Sequence, residues 1–379
     1  MSRLGYAISK ITKITALGLI GLIVLLALGL SCKSSVPPKT VGLGYGMQVA
    51  PGTDYQRALR LLKEAGFTWT KVQLRWEELE MQKGVIQWNV IDPIVNEAKA
   101  QGVRLLLSVV TAPSWSRPTS EDLSAPGPPE DAKDYADFVS AILKRHKGKV
   151  AAIEVWNEQN LWYEWGGKGK KLNAAQYVDL LKTAYTAIKA ADPNVVVVSG
   201  ALTPTGVDDG DTAIDDVRYL DMMYAAGLKN YCDAIGAHPS GYNNPPDDTP
   251  TQATVISTGF KGHWSFYYRR FEQYWAVMER YGDGEKKLWF TEFGWASSTN
   301  PPAGYEYARD NSEEDQAKYL VRAFQLAQET EYVGVMFVWN LNFAPAAEPG
   351  DIYAKAAFSI LRADWSSRPA YSSLKAMSK

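Results

Sequence analysis

Two cysteines in 379 residues, Cys32 and Cys232, are too few to build a disulfide scaffold. The three histidines, His146, His238 and His263, stand far apart, and the chain contains neither an HExxH nor a CxxC pair. That spacing argues against a zinc enzyme, and neither a metal nor an organic cofactor is expected. An excess of one charge is also missing, because 40 Lys and Arg stand against 42 Asp and Glu. A nucleic-acid binder needs a basic surface to neutralise phosphates, so no nucleic-acid partner is expected. Disorder is excluded by a composition that is 46% hydrophobic and 22% charged, which suits a globular chain with a sizeable core. Aromatic residues are plentiful, with 13 Trp and 21 Tyr. Flat rings suit stacking on sugars, and large cores use them equally.

Residues 1–31 read as an address. Arg3, Lys10 and Lys13 precede an uncharged apolar run from Ile14 to Leu30. Its length is marginal for a bilayer span, which takes about 20 residues. A basic start, an apolar middle and small residues near Ser31 make a secretory signal. Cys32 follows directly, as the lipid-accepting Cys does in bacterial lipoproteins, although Gly29 stands where such signals usually carry Leu. A cleaved or lipidated signal is expected, with an uncleaved membrane anchor as the alternative. Either route puts the body of the chain outside the cytoplasm, at the cell surface or secreted. Residues 32–40 read as a tether, and residues 41–379 as one domain.

In that domain strand and helix patterns alternate eight times. Val41–Val49 is a Gly-spaced apolar strand, and Tyr55, Ala58, Leu59 and Leu62 then mark a helix face. Thr53 and Asp54 are its candidate caps. Further strands fall at about Thr70–Trp76, Val103–Val110, Val150–Trp156, Val195–Val198, Ala234–Ala237, Leu288–Thr291 and Val333–Trp339. Continuous apolar runs such as Val103–Val110 are typical of parallel strands buried on both faces. Helical spacing recurs between them, including a long aromatic-rich helix predicted over Phe266–Tyr281. Eight such units without an internal linker predict a single (β/α)8 TIM barrel, class α/β, with long βα loops. An open doubly wound sheet is the rival, but Gly42, Gly44 and Gly46 lack the GxGxxG spacing that its first turn carries.

Barrel enzymes place their chemistry where strands end. Arg75-Trp76 ends the second strand, and Thr111 to Trp115 the third. The fourth ends in Trp156-Asn157-Glu158, the sixth in His238-Pro239, the seventh in Glu292-Phe293-Gly294-Trp295 and the eighth in Trp339-Asn340. Two carboxylates, Glu158 and Glu292, thus face one mouth. Glycoside hydrolysis uses such a pair: one protonates the leaving oxygen and the other attacks the anomeric carbon or activates water. A separation of about 5 Å gives retention and a wider gap inversion.

Trp156-Asn157-Glu158 and Thr291-Glu292-Phe293-Gly294-Trp295 resemble the signatures of clan A retaining glycoside hydrolases. The segment from Arg75 to Trp88 is similar to one shared by several families of that clan. The nearest type is family 39 or family 5, which includes bacterial exopolysaccharide hydrolases, and the likeness runs over roughly residues 41–365. It implies an exported retaining β-glycosidase acting on a polysaccharide or oligosaccharide. Glu158 would be the acid/base and Glu292 the nucleophile. Asn157 would donate to the sugar 2-hydroxyl, Arg75 would hold Glu292, and His238 or Tyr242 would contact either carboxylate. Trp339 would floor the reacting sugar, with Trp115, Trp162, Trp165 and Trp295 lining further subsites. One departure is the third strand end, where Ser114 and Trp115 replace the His that several clan families carry. A glycan-binding protein without turnover is a second reading, and a transglycosylase using the same residues a third. Asp208 to Asp216 reads as an exposed acidic loop rather than a calcium site, and the helix bearing Tyr267 to Arg270 as barrel packing with a polar outer face.

Overall fold

Eight parallel strands close into a barrel in sequence order, β1 pairing with both β2 and β8, in a computed structural model of the chain. Residues 42–249, 260–344 and 352–379 are described, so the signal and tether, residues 1–40, lie outside the described residues. Gly42–Lys379 forms one compact unit. The strands are β1 Gly44–Gln48, β2 Trp69–Arg75, β3 Arg104–Val110, β4 Ala152–Val155, β5 Val196–Ser199, β6 Ala234–Ala237, β7 Lys287–Phe293 and β8 Val333–Val338. The main helices are α1 Tyr55–Glu64, α2 Trp88–Gln101, α3 Ala132–Arg145, α4 Ala174–Ala191, α5 Asp216–Ala225, α6 Phe271–Arg280, α7 Glu313–Gln328 and α8 Pro369–Ala376. The fold is therefore the (β/α)8 barrel that the alternation of periods predicts.

Helix starts follow local chemistry. Asp54 accepts from the Arg57 backbone N–H at 3.0 Å, and Asn173 caps α4 in the same way. Ser312 and Asp315 form a reciprocal capping box on α7. The inward stripe of α7, Leu320, Ala323, Phe324 and Ala327, is buried against the barrel. The aromatic segment before β7 differs from the expected single helix: a 3-10 turn, Tyr268–Arg270, leads into α6. Its outer face is not polar throughout. Arg270 is buried and ion-paired to Asp215 and Asp216, which removes both carboxylates from the expected exposed loop. A guanidinium there must be paired, because burying it alone is prohibitive. Cys232 is buried, and burial pushes its thiol up to about 12, as befits a packing residue.

Inside the barrel, side chains alternate along each strand in layers. Trp69, Leu106, Ala152, Val198, Trp289 and Phe337 form an apolar cluster separate from the large layer between strands and helices. It fills the interior as a plug. Two residues further along the same strands stand Lys71, Ser108, Glu154 and Thr291, all fully buried and all polar. This polar layer separates the plug from the C-terminal mouth.

Candidate active site

The end of β4 is a strained turn. Trp156 and Glu158 both adopt left-handed backbone conformations, at φ 75° and 47°. For residues other than Gly each costs about 1–3 kcal/mol and has to be held in place by its surroundings. The Glu158 N–H donates to the Ala201 carbonyl at 2.8 Å, and the Trp156 N–H to that of Val109 at 3.1 Å. The Trp156 indole donates to the Glu164 carbonyl at 3.0 Å. Gly200, just past the end of β5, lets the turn close, because a Cβ there would meet the Val155 carbonyl at 2.7 Å. The result aims Glu158 into a cavity of about 840 Å³ at the barrel mouth.

Glu292 reaches the same cavity from the opposite side of the ring. It is the sixth residue of β7, a strand two residues longer at its end than the sequence suggests. Beneath it Lys71 is fully buried, 3.0 Å from Glu292 Oε1 and 3.1 Å from Glu154 Oε2. Burial alone would lower the Lys71 pKa, but the two flanking carboxylates outweigh it and hold it above its ordinary value. From Glu154 the chain of contacts continues. Thr291 Oγ1 donates to Glu154 Oε1 at 2.6 Å, and His238 Nε2 lies 3.1 Å from the same hydroxyl. His238 Nδ1 lies 2.9 Å from Glu158 Oε1. A path of ion pairs and hydrogen bonds thus runs beneath the cavity floor from Glu292 to Glu158.

The other expected residues divide into two groups. Arg75, Asn157, His238, Tyr242, Trp162 and Trp339 line the cavity. Asn157 is buried, and its Oδ1 has no hydrogen-bond partner among the described residues. Trp339, whose peptide bond to Asn340 is cis, has Phe358 4.7 Å from its ring centre. Tyr242 touches neither carboxylate by hydrogen bond; its hydroxyl points to the Pro204 carbonyl at 3.4 Å, and its ring packs on Phe260 and Phe266. Arg75 pairs with Glu77 and Glu78 on the turn that follows it, so Lys71 takes the place beside Glu292 that the sequence suggested for Arg75. Trp295, Trp165 and Trp115 are not among the cavity residues. Trp295 is fully buried, its indole donating to the Asn244 carbonyl at 2.8 Å. Trp165 lies in the core between Trp156 and Tyr177. Trp115 is tied to the Glu80 carbonyl at 2.7 Å and packs edge-on against Trp76.

Sequence reasoning gave no role to four residues, Lys71, Glu154, Glu164 and Thr291, the last of which stands in the strand-seven motif. Glu164 lies six residues beyond Glu158 on the same loop and lines the cavity. Burial, and next the charge of Glu158, push its carboxyl up to about 8, against the opposing pull of Arg75. At neutral pH it is a hydrogen-bond donor as well as an acceptor.

Comparison with known proteins returns likeness of fold. No family model and no curated protein matches the chain. Among solved structures, a family 39 glycoside hydrolase from Bacteroides cellulosilyticus WH2 superposes with a TM-score of 0.65 at 22% identity, over 89% of this chain and 63% of its own. A glucosidase from Croceicoccus marinus gives 0.61 at 14% identity, over 87% of this chain and 66% of its own. Xylanase 10B from Thermotoga petrophila RKU-1, solved with xylobiose, gives 0.56 at 14% identity, over 88% of this chain and 92% of its own. The chain therefore spans less than two thirds of the length of the first two. The likeness is one of fold: the barrel of this chain is shared with these structures and with a GH5_18 structure from Streptomyces cattleya.

Proposed function

We propose that this protein is a retaining β-glycoside hydrolase that cleaves a polysaccharide or oligosaccharide by double displacement. The observation that carries the reading is the pair of carboxylates, Glu158 after β4 and Glu292 at the end of β7, lining one cavity. The Glu292 carboxylate attacks the anomeric carbon while Glu158 gives its proton to the departing glycosidic oxygen. Water then attacks the glycosyl ester, Glu158 takes its proton, and Glu292 leaves. Lys71 supports the nucleophile's role by facing it with a buried cation. The Asn157 Oδ1 is available to accept from a sugar hydroxyl, and the Trp339 face to the ring above it.

The test is Glu292→Ala. Turnover should be lost, and added azide should restore it while giving a glycosyl azide of inverted configuration. A variant that keeps near-parental activity rejects the assignment. The substrate would come from assaying the protein on β-glucan, xylan, mannan and bacterial exopolysaccharides, scored by product size. Export and membrane attachment through residues 1–40 are proposed from sequence alone. Incorporation of labelled fatty acid, abolished in Cys32→Ser, would support a lipid anchor, and an unlabelled protein would reject it.

A further inference from the structure

The path between the two carboxylates allows its hydrogens to be counted. Glu154 is fully buried with the Lys71 ammonium 3.1 Å from its Oε2, and a carboxylate facing a buried cation serves as an acceptor. Thr291 has one hydroxyl hydrogen, and its 2.6 Å contact with Glu154 uses it. His238 Nε2, 3.1 Å from that hydroxyl, must then be the donor, because a bare nitrogen would set two acceptors against each other in a buried site. With Nε2 protonated, a neutral His238 leaves Nδ1 as a lone pair facing Glu158 Oε1 at 2.9 Å. That contact also requires a hydrogen. It sits either on Glu158 or, if the ring is cationic, on Nδ1.

We infer that Lys71, Glu154 and Thr291 are positioning residues which, acting through His238, keep one proton between Glu158 and Nδ1 while Lys71 keeps Glu292 an anion. The inference rests on the glycosidase reading above and deepens it: one buried ion pair assigns opposite roles to two chemically identical side chains. Lys71 reaches Glu292 directly. Glu154 and Thr291 touch neither carboxylate of the cavity and act at a distance, by fixing which ring nitrogen of His238 carries hydrogen. Thr291 is the hinge of the argument because its single hydrogen sets the direction of every bond beyond it.

The test compares Thr291→Val, which keeps the shape and removes the hydroxyl, with Thr291→Ser, which keeps the hydroxyl. The full-length protein is assayed on phenyl and 2,4-dinitrophenyl β-glycosides of a sugar that the parent cleaves. Phenoxide needs a proton to leave and dinitrophenoxide does not. Thr291→Val should lose about 10²-fold in kcat/KM on the phenyl glycoside, the scale of general-acid catalysis, and less than about 5-fold on the activated one. Thr291→Ser should stay within about 3-fold on both. Equal losses of Thr291→Val on both substrates, or a Thr291→Ser as poor as Thr291→Val, would overturn the inference. A second measurement does not need turnover. The chain has three histidines, so 15N-labelled imidazole signals are few, and His238→Gln identifies the relevant pair. A protonated Nε2 in the parent, lost as a fixed state in Thr291→Val, supports the inference; a bare Nε2 in the parent refutes it. A parent that cleaves no glycoside rejects the proposed function and leaves the imidazole signals to decide this point.

Discussion

Replacing Lys71 by Met should be the most damaging single change beneath the cavity, and its cost can be worked out. The Lys71 ammonium lies 3.0 Å from Glu292 and 3.1 Å from Glu154, with no exposed surface. At an effective dielectric of about 20, each contact is worth roughly 5 kcal/mol of Coulomb energy before desolvation is charged against it. Removing one member of a buried pair typically destabilises by about 3–5 kcal/mol, because the remaining charge is stranded. Lys71 serves two anions, so Lys71→Met belongs at the upper end, at about 4–5 kcal/mol. In a chain of this size that lowers Tm by about 6 °C. The pH dependence has a definite sign. The folded Lys71 pKa lies above its ordinary 10.5, so its stabilisation is complete below that pH and fades as pH rises through the folded value. The parent should therefore lose stability above about pH 10.5 by a component that Lys71→Met lacks. Urea unfolding at pH 7 measures the main effect. The double variant Lys71→Met with Glu154→Gln should recover most of the loss, since the anion that remains, Glu292, is partly open to the mouth. A Lys71→Met protein within about 1 kcal/mol of the parent would refute the reasoning, because the buried carboxylates would then have another source of compensation.

Glu164 gives a second pH signature. Its folded value of about 8 lies above the unfolded 4.5, so it costs the native state stability as pH rises from 4.5 to 8. Glu164→Gln should match the parent at pH 4 and exceed it at pH 8 by on the order of 3 kcal/mol in urea unfolding. Equal stability at both pH values would count against the burial of that carboxyl. Gly236→Ala should be poorly tolerated for a different reason. Its Cβ would fall 2.3 Å from the Ser199 carbonyl oxygen and 2.9 Å from the Ala201 nitrogen, both backbone atoms of the adjoining strand region. A loss of about 3 kcal/mol or more is expected from such overpacking, and a variant within about 0.5 kcal/mol would show that the strands can part at no cost.

The barrel was legible because its signals are long. The alternation of apolar strand and periodic helix recurs along the whole domain, and a parallel sheet buried on both faces leaves continuous hydrophobic runs. Glu158 and Glu292 were legible for a simpler reason, since strand ends face the mouth. The failures come from positions where parity or contact decides. Trp295 lies three residues beyond Glu292, yet its ring turns into the packing around Tyr268 and Tyr319, where alternation no longer holds. Arg75 attracts attention as a strand-end cation, but the turn Trp76–Leu79 offers it Glu77 and Glu78 first. Lys71 and Glu154 did leave a trace. Each is a charge in the middle of a strand buried on both faces, which is rare unless paired. Seeing that the two pair with each other needed the register of β2, β3 and β4. Glu164 left none, because its effect arises from a loop folding back over the cavity.

A polar layer inside a barrel is costly. Apolar residues of similar volume in place of a buried ion pair often leave a protein as stable or more so, and the plug of Trp69, Trp289 and Phe337 one layer below shows that this barrel can be filled that way. Stability therefore does not explain Lys71, Glu154 and Thr291. What they provide is asymmetry. Glu158 and Glu292 are the same side chain on the same rim, and a symmetric floor would leave each to hold the proton as readily as the other. Here the floor presents an ammonium to one and an imidazole to the other, and the two are joined through a hydroxyl with a single hydrogen to give. The apolar plug has a part in this as well. By filling the space beneath the layer it leaves the bonds of these polar side chains to be made within the layer and toward the mouth, where the two glutamates stand.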